Sequence, residues 1–113
     1  MRTVKKAKLL RLHFCESDQY NRKPLYDAIV NRCRELKIAG DTVFRGLEGY
    51  GETAEIHRHR FIAKDQPIVV TIVDTPENLG RLIPEVEAMM DTGMIATSDV
   101  EYVRIEKPPA AGA

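Results

Sequence analysis

The chain contains no tryptophan, only two cysteines and no long apolar run. Cys15 and Cys33 lack metal-ligand spacing and a secretory context, so they predict two reduced thiols rather than a disulfide framework or a zinc site. Apolar runs stay well below the roughly 18–20 residues of a membrane span, and the basic start is not followed by an apolar segment. These absences predict a cytoplasmic protein that does not insert directly into a membrane.

An excess of one charge is also missing, because 17 basic residues balance 17 acidic ones. No global field therefore draws the chain toward nucleic acid. The apparent central strand, residues 68–73, has no aromatic ring on which a base could stack, which counts against RNA recognition. With 113 residues, 43% hydrophobic and 30% charged, the chain is expected to form one globular domain over residues 1–113.

Hydrophobic periodicity predicts the element order β-α-β-β-α-β. The expected strands are residues 7–14, 42–47, 68–73 and 97–105. The first helix should begin at Pro24 and stop at Gly40, and the second should be capped by Thr75, kink near Pro84 and end at Gly93. The residues expected to face inward are Leu25, Ile29, Cys33 and Leu36 in the first helix and Leu79, Leu82, Ile83, Val86, Met89 and Met90 in the second.

This order is typical of an α+β ferredoxin-like sandwich, a four-stranded antiparallel sheet with two helices on one face. The ordered core should span about residues 7–106, with a tail at 107–113. Two helices cover only one face of the sheet. In a chain this short, the other face is often covered by another subunit.

The segment after the second strand combines three glycines with a basic, histidine-containing stretch, and it is the candidate site. Gly46, Gly49 and Gly51 suit a backbone that turns sharply or comes close to another group. Four arginines of the chain could gather around phosphate oxygens, with N–H groups of the glycine-bearing backbone donating to the same anion. Those arginines are Arg45, Arg58, Arg60 and Arg104. Neither a P-loop nor a dinucleotide-binding glycine motif is present.

A metal site is an alternative at the same segment. If the backbone is extended, His57 and His59 point the same way and could share a metal, with His13 or Cys15 as a third ligand. Enzymatic chemistry has little support, since no serine lies in a nucleophile-elbow motif and no cysteine has an evident histidine base. An enzyme is therefore not expected.

The chain resembles domain-of-unknown-function family 190 over residues 7 to about 106. The segment AGDTVFRG of residues 39–46 is the most specific part of the resemblance. The other matching segments are residues 16–18 before Tyr20, residues 23–30, residues 47–51, Ile56-His57, residues 67–74 and the second helix.

That family is PII-like, which implies a homotrimer of ferredoxin-like subunits with their sheets facing inward. It also implies that an adenine nucleotide, the only cofactor expected, binds in the clefts between subunits. Residues 46–51 would form the base of a loop, and residues 52–66 would be a mobile loop that contacts a membrane transporter, a channel or an enzyme. The expected ligand-binding residues are Arg45, Gly46, Glu48, Gly49, Tyr50, Gly51, His57, Arg58, Arg60 and Arg104.

One segment departs from the PII pattern. PII proteins grip phosphates with a glycine-rich loop that ends in lysine, between the second helix and the last strand. Here the corresponding residues 91–97 contain one glycine, Gly93, and no lysine. The departure argues against ATP held in the PII manner and leaves open a smaller or differently held nucleotide. The alternative function is a CutA-like trimeric metal-binding protein that uses His57 and His59.

Overall fold

One four-stranded antiparallel sheet and two helices form the protein, as a computed structural model describes them for residues 3–46 and 65–108. The described elements are β1 (Lys5–Cys15), β2 (Gln19–Tyr20), β3 (Lys23–Pro24), α1 (Leu25–Glu35), β4 (Asp41–Arg45), β5 (Pro67–Asp74), α2 (Pro76–Met89) and β6 (Met94–Tyr102). The sheet order is β4-β5-β1-β6. The predicted α+β ferredoxin-like fold is confirmed, with a small β2–β3 hairpin added before α1.

Alternation along the strands gives the sheet one buried and one open face. On β1, Leu10, Leu12 and Phe14 point toward the helices, and their partners on β5 are Ile72, Val70 and Ile68. All six are buried in the main core. The intervening residues face away from the helices, so each strand of the central pair supplies both surfaces.

The helices bury the apolar stripes that the sequence predicts. In α1 the buried residues are Leu25, Ile29 and Cys33, and in α2 they are Leu79, Leu82, Val86 and Met89. The Thr75 hydroxyl accepts the Asn78 N–H at 3.1 Å, which confirms the predicted N-cap of α2. α2 runs as one helix through Pro84, and the kink expected there stays a prediction.

The predicted ends of both helices are wrong. α1 ends at Glu35 rather than at Gly40, because Lys37 takes the left-handed conformation (φ 59°) and the Ile38 N–H donates to the Cys33 carbonyl at 2.9 Å. This is a Schellman turn with lysine in the place usually held by glycine. α2 ends at Met89, and Gly93 (φ 122°) instead forms the turn before β6.

The last strand lies three residues earlier than predicted, at Met94–Tyr102 instead of residues 97–105. Met94 already pairs with His13 of β1, and the ladder ends where Tyr102 pairs with Lys5, the first residue of β1. The partner strand therefore sets both ends of β6. Arg104 lies beyond the strand rather than on it.

Neither helix in residues 3–46 and 65–108 has the length and apolar character that crossing a lipid bilayer requires.

Candidate functional site

A pocket of about 330 Å³ lies where β4 begins. It is lined by Ala39, Gly40, Asp41, Thr42, Thr71, Val73 and Arg104. Thr42 and Thr71 are directly paired across β4 and β5, and Val73 follows on the same face. These residues belong to the open face of the sheet, so the pocket opens away from the helices. We call it the Arg104 pocket.

Arg104 supplies the positive charge of this pocket. It lies two residues beyond β6, and its side chain is 63% exposed with Glu106 as an ion-pair partner at 3.9 Å. A contact so exposed contributes little stability and leaves the guanidinium able to bind another anion. The opposite charge in the pocket comes from Asp41, and the threonines add two hydroxyl groups. The lining residues can therefore bind a ligand that carries both an anionic group and hydroxyl groups.

The wall at Ala39–Asp41 is held from behind by Asp74, at the end of β5. This buried carboxylate accepts the Ala39 N–H at 2.8 Å, the Thr75 N–H at 2.7 Å and the Asn78 side-chain amide at 2.9 Å. Burial alone would raise the pKa of Asp74, but these hydrogen bonds, together with the nearby charge of Arg81, hold the pKa below its usual value. Asp74 is therefore a charged structural group.

Cys33 is a buried thiol beside Asp41. Its burial, assisted by the carboxylate of Asp41, raises the pKa of Cys33 to about 12. Both cysteines are buried, and neither forms a disulfide.

Two predicted ligand residues, Arg45 and Gly46, lie at the other end of β4. Arg45 forms an ion pair with Glu16, and the Gly46 N–H donates to the Pro67 carbonyl at 2.7 Å. A Cβ on Gly46 would meet the Pro67 ring at 2.7 Å, so this glycine permits a close approach of two chain segments. The group that comes close to Gly46 is Pro67 of the same chain.

Residues 65 and 66, where the described chain resumes, are tied to the same corner of the fold. Asp65 accepts the backbone N–H of Ser17 at 3.0 Å and its hydroxyl at 2.7 Å. The Glu16 N–H donates to the Gln66 carbonyl at 2.9 Å. Residues 16 and 17 thus contact both chain ends that flank residues 47–64.

Within one chain, the structure does not bring Arg45 and Arg104 together. Four strand steps of about 3.3 Å place Arg45 roughly 13 Å from Asp41, which is one of the residues that line the Arg104 pocket. The remaining candidates lie outside the described residues. They are Glu48, Gly49, Tyr50, Gly51, His57, Arg58 and Arg60, together with His59 of the metal alternative.

The predicted metal alternative gains no support. No group of three His, Cys, Asp or Glu side chains that could hold a metal ion occurs in residues 3–46 and 65–108. Of the suggested third ligands, Cys15 is buried, and His13 pairs with Val69 and Met94 on the open face.

A second, smaller hollow surrounds the turn before β6. It has a volume of about 180 Å³ and is lined by Glu87, Met90, Asp91, Thr92, Gly93 and Ile95. Its charged groups are acidic, so it does not resemble a phosphate grip by itself. At Gly93 a Cβ would lie 2.3 Å from the His13 carbonyl oxygen, which explains why glycine is needed there.

Sequence reasoning found Arg104 but missed its neighbours. Gly40 was predicted only as the stop of the first helix and Thr42 only as the start of the second strand, while Asp41 and Asp74 were named only within segments that match the family. A signal was present, because a carboxylate directly after an apolar strand and before an N-cap is well placed to accept backbone N–H groups.

Structural comparison shows that the chain has a PII-like fold. It resembles the nitrogen regulatory PII-like protein CPII of Thiomonas intermedia K12, solved with ADP, AMP and bicarbonate, at 18% identity and a TM-score of 0.62 over 90% of this chain and 92% of that one. It also resembles a putative PII-like signaling protein of Thermus thermophilus, at 14% identity and a TM-score of 0.56 over 90% and 91% of the two chains. At these identities the likeness shows the fold.

Sequence comparison finds nearer relatives. A UPF0166 protein of Aquifex aeolicus is 38% identical over 105 residues, which cover 91% of this chain and 98% of that protein. A UPF0166 protein of Methanocaldococcus jannaschii is 31% identical over 104 residues, covering 89% and 95%. Residues 7–102 match the family model described as DUF190, Uncharacterized ACR, COG1993. With nearly the whole folded core matched, the chain belongs to the DUF190 family and has a PII-like fold.

Proposed function

We propose that this protein is a PII-like regulatory protein that binds an adenine nucleotide in the Arg104 pocket. The observation that carries the proposal is the pocket itself, which combines a guanidinium, a carboxylate and two hydroxyls on the open face of the sheet. The same fold occurs in CPII, whose solved structures hold ADP and AMP. We further propose a signalling role rather than an enzymatic one.

The chemistry of the lining suits a nucleotide. The Arg104 guanidinium can form two parallel hydrogen bonds with phosphate oxygens. The Asp41 carboxylate accepts hydrogen bonds, as ribose hydroxyls require, and Thr42 and Thr71 can donate or accept. These groups converge within a volume at the lower end of what small-molecule sites offer, about 300–1,000 Å³.

The charge of the lining favours few phosphates. Among the described residues of the pocket, one cation, Arg104, faces one anion, Asp41. A triphosphate would leave several negative charges uncompensated there, whereas a monophosphate or diphosphate needs fewer partners. We therefore expect AMP and ADP to bind more tightly than ATP, in keeping with the single glycine and missing lysine of residues 91–97.

The site is proposed to lie between subunits of a homotrimer. The pocket opens on the face of the sheet that the helices leave uncovered, so a neighbouring copy packed on this face would close it. Residues 52–66 would then report the bound state to a transporter, a channel or an enzyme. They lie largely outside the described residues, and their role rests on the family resemblance.

Calorimetric titration of AMP, ADP, ATP and cyclic AMP into the purified protein tests the proposal. Arg104→Ala should weaken AMP binding by about 10–100-fold, because a hydrogen bond to a charged group is worth about 1.5–3 kcal/mol. Arg34→Ala is the matched control, since this exposed arginine lies on α1, away from the pocket lining. It should bind AMP as the native protein does.

Two results would contradict the proposal: no heat with any of the four nucleotides, or equal affinity of the Arg104→Ala and native proteins. A separate measurement tests the reporting step. If residues 52–66 respond to the ligand, saturating AMP should slow proteolytic cleavage within them, and an unchanged cleavage rate would remove the reporting role while leaving the binding site intact.

A further inference from the structure

We infer that Asp74 is the positioning residue of the Arg104 pocket: it fixes the pocket wall at Ala39–Asp41 and joins that wall to the first turn of α2. The inference rests on the proposed function for its ligand. It goes beyond it because Asp74 does not line the pocket and acts through Ala39.

The two carboxylate oxygens of Asp74 have separate tasks. Oδ2 accepts the Ala39 N–H at 2.8 Å and so contacts the wall. Oδ1 accepts the Thr75 N–H at 2.7 Å and the Asn78 side-chain amide at 2.9 Å, and so contacts the start of α2. One buried side chain therefore connects two segments that are far apart in sequence.

The pocket wall at Ala39–Asp41 depends on its hydrogen bond to Asp74, because the backbone of the wall is otherwise fixed only at its two ends. On one side, Ile38 is buried, and its N–H closes the Schellman turn on Cys33. On the other side, Asp41 begins the β4 ladder by pairing with Ile72. Ala39 and Gly40 lie between them, outside helix and strand, with the permissive backbone of glycine at one of the two positions. The Asp74 bond restricts the conformations that this short stretch can take.

Arg81 ties the same elements together a second time. Its guanidinium donates to the Asn78 side chain at 2.8 Å and to the Leu36 carbonyl, at the end of α1, at 3.1 Å. The end of α1, the pocket wall, the end of β5 and the start of α2 thus form one connected group. A ligand that moves Ala39–Asp41 would act on the first turn of α2 through Asp74.

Asp74→Asn separates the two tasks in a single substitution. If the asparagine oxygen keeps the Thr75 and Asn78 partners, its NH₂ group faces the Ala39 N–H, and two donors then oppose each other. We expect the Ala39 amide to exchange with solvent at least tenfold faster, as followed by ¹⁵N NMR. We expect the dissociation constant of AMP to rise by about tenfold or more in calorimetry.

Asn78→Ala is the matched control, because it removes the bonds of this side chain to Asp74 Oδ1 and to Arg81 and leaves the Ala39 contact in place. It should lower the free energy of unfolding while keeping the Ala39 exchange rate and the AMP affinity near their native values. Equal weakening of AMP binding in both variants would overturn the inference, because it would show general loosening. Native affinity in Asp74→Asn would overturn it as well.

The outcomes separate this inference from the proposed function. If the native protein binds no AMP, the proposal that AMP binds in this pocket is wrong. Faster exchange of the Ala39 amide in Asp74→Asn would still support the role of Asp74 in holding the pocket wall. Unchanged exchange would refute that role. If Asp74→Asn does not fold, the native protein alone decides: an Ala39 amide without protection from exchange would overturn the inference, and a protected one supports it.

Discussion

Gly93 is the single residue on which the turn before β6 most depends. Its φ of 122° is strained for any L-residue, and a Cβ there would lie 2.3 Å from the His13 carbonyl oxygen and 2.8 Å from the Met90 methyl group. We predict that Gly93→Ala lowers the free energy of unfolding by about 2–4 kcal/mol, because backbone strain is added to a clash with the β1 backbone. Urea denaturation followed by circular dichroism measures the change.

Gly80 is the matched control for this prediction. It lies in α2, and a Cβ there would meet nothing within 4 Å. Gly80→Ala should therefore raise the free energy of unfolding by about 0.5–1 kcal/mol through the higher helix propensity of alanine. If both substitutions changed stability alike, the assigned role of Gly93 would be wrong.

At the scale of elements, the Schellman turn after α1 leads to a prediction about stability. Lys37 takes the left-handed conformation (φ 59°), which costs a non-glycine residue about 1–2 kcal/mol. Lys37→Gly removes this cost but adds backbone entropy to the unfolded chain, so we predict a net gain of about 0.5–1 kcal/mol in unfolding free energy. Thermal and urea denaturation provide the measurement.

Arg34→Gly is the control for that substitution, since it also replaces an exposed basic residue by glycine, but within the helix. It should lower the unfolding free energy by about 0.5–1 kcal/mol, the cost of glycine in a helix. A loss of stability in both variants would show that the turn at Lys37 is not strained.

Lys37 also shows why element order could be predicted from the sequence while element ends could not. The stripes Leu25-Ile29-Cys33 and Leu79-Leu82-Val86 reflect burial, which repeats along the chain and is visible in the sequence. The ends depend on single backbone conformations and on partner strands. A lysine in the place of the expected glycine gave no local signal, and β6 ends at Tyr102 because β1 begins at Lys5.

The candidate site was predictable to a similar degree. Arg104 could be named because the family resemblance pointed to it, whereas the Asp74 contact joins residues 35 positions apart and only the fold creates it. The expectation that Arg45 and Arg104 gather at one anion depended on where β4 begins and ends. Arg45 ends β4, whereas the Arg104 pocket lies where β4 begins, and no pattern in the sequence specifies this separation.

For the whole molecule, the uncovered face of the sheet is the feature that remains to be explained. Among the described residues it exposes Phe44 and Met94, each at 54%, and Val73 at 36%. Exposed apolar side chains of this size on one face of a sheet favour burial against another protein surface. The Arg104 pocket opens on the same face, so assembly and ligand binding are expected to depend on each other.

We therefore predict that the native protein has a mass in solution three times that of its 12.8 kDa chain, and that Phe44→Asp produces monomers. A buried unpaired carboxylate in the interface carries a large desolvation cost, whereas the same side chain in a monomer stays solvated. Size-exclusion chromatography with light scattering measures the mass, and circular dichroism verifies that the variant is folded.

Ala88→Glu is the control, because Ala88 is exposed on the outer surface of α2. This substitution should leave the native mass unchanged. A native mass of one chain would refute the trimer, and a Phe44→Asp protein that kept the native mass would show that the subunits do not meet on this face of the sheet.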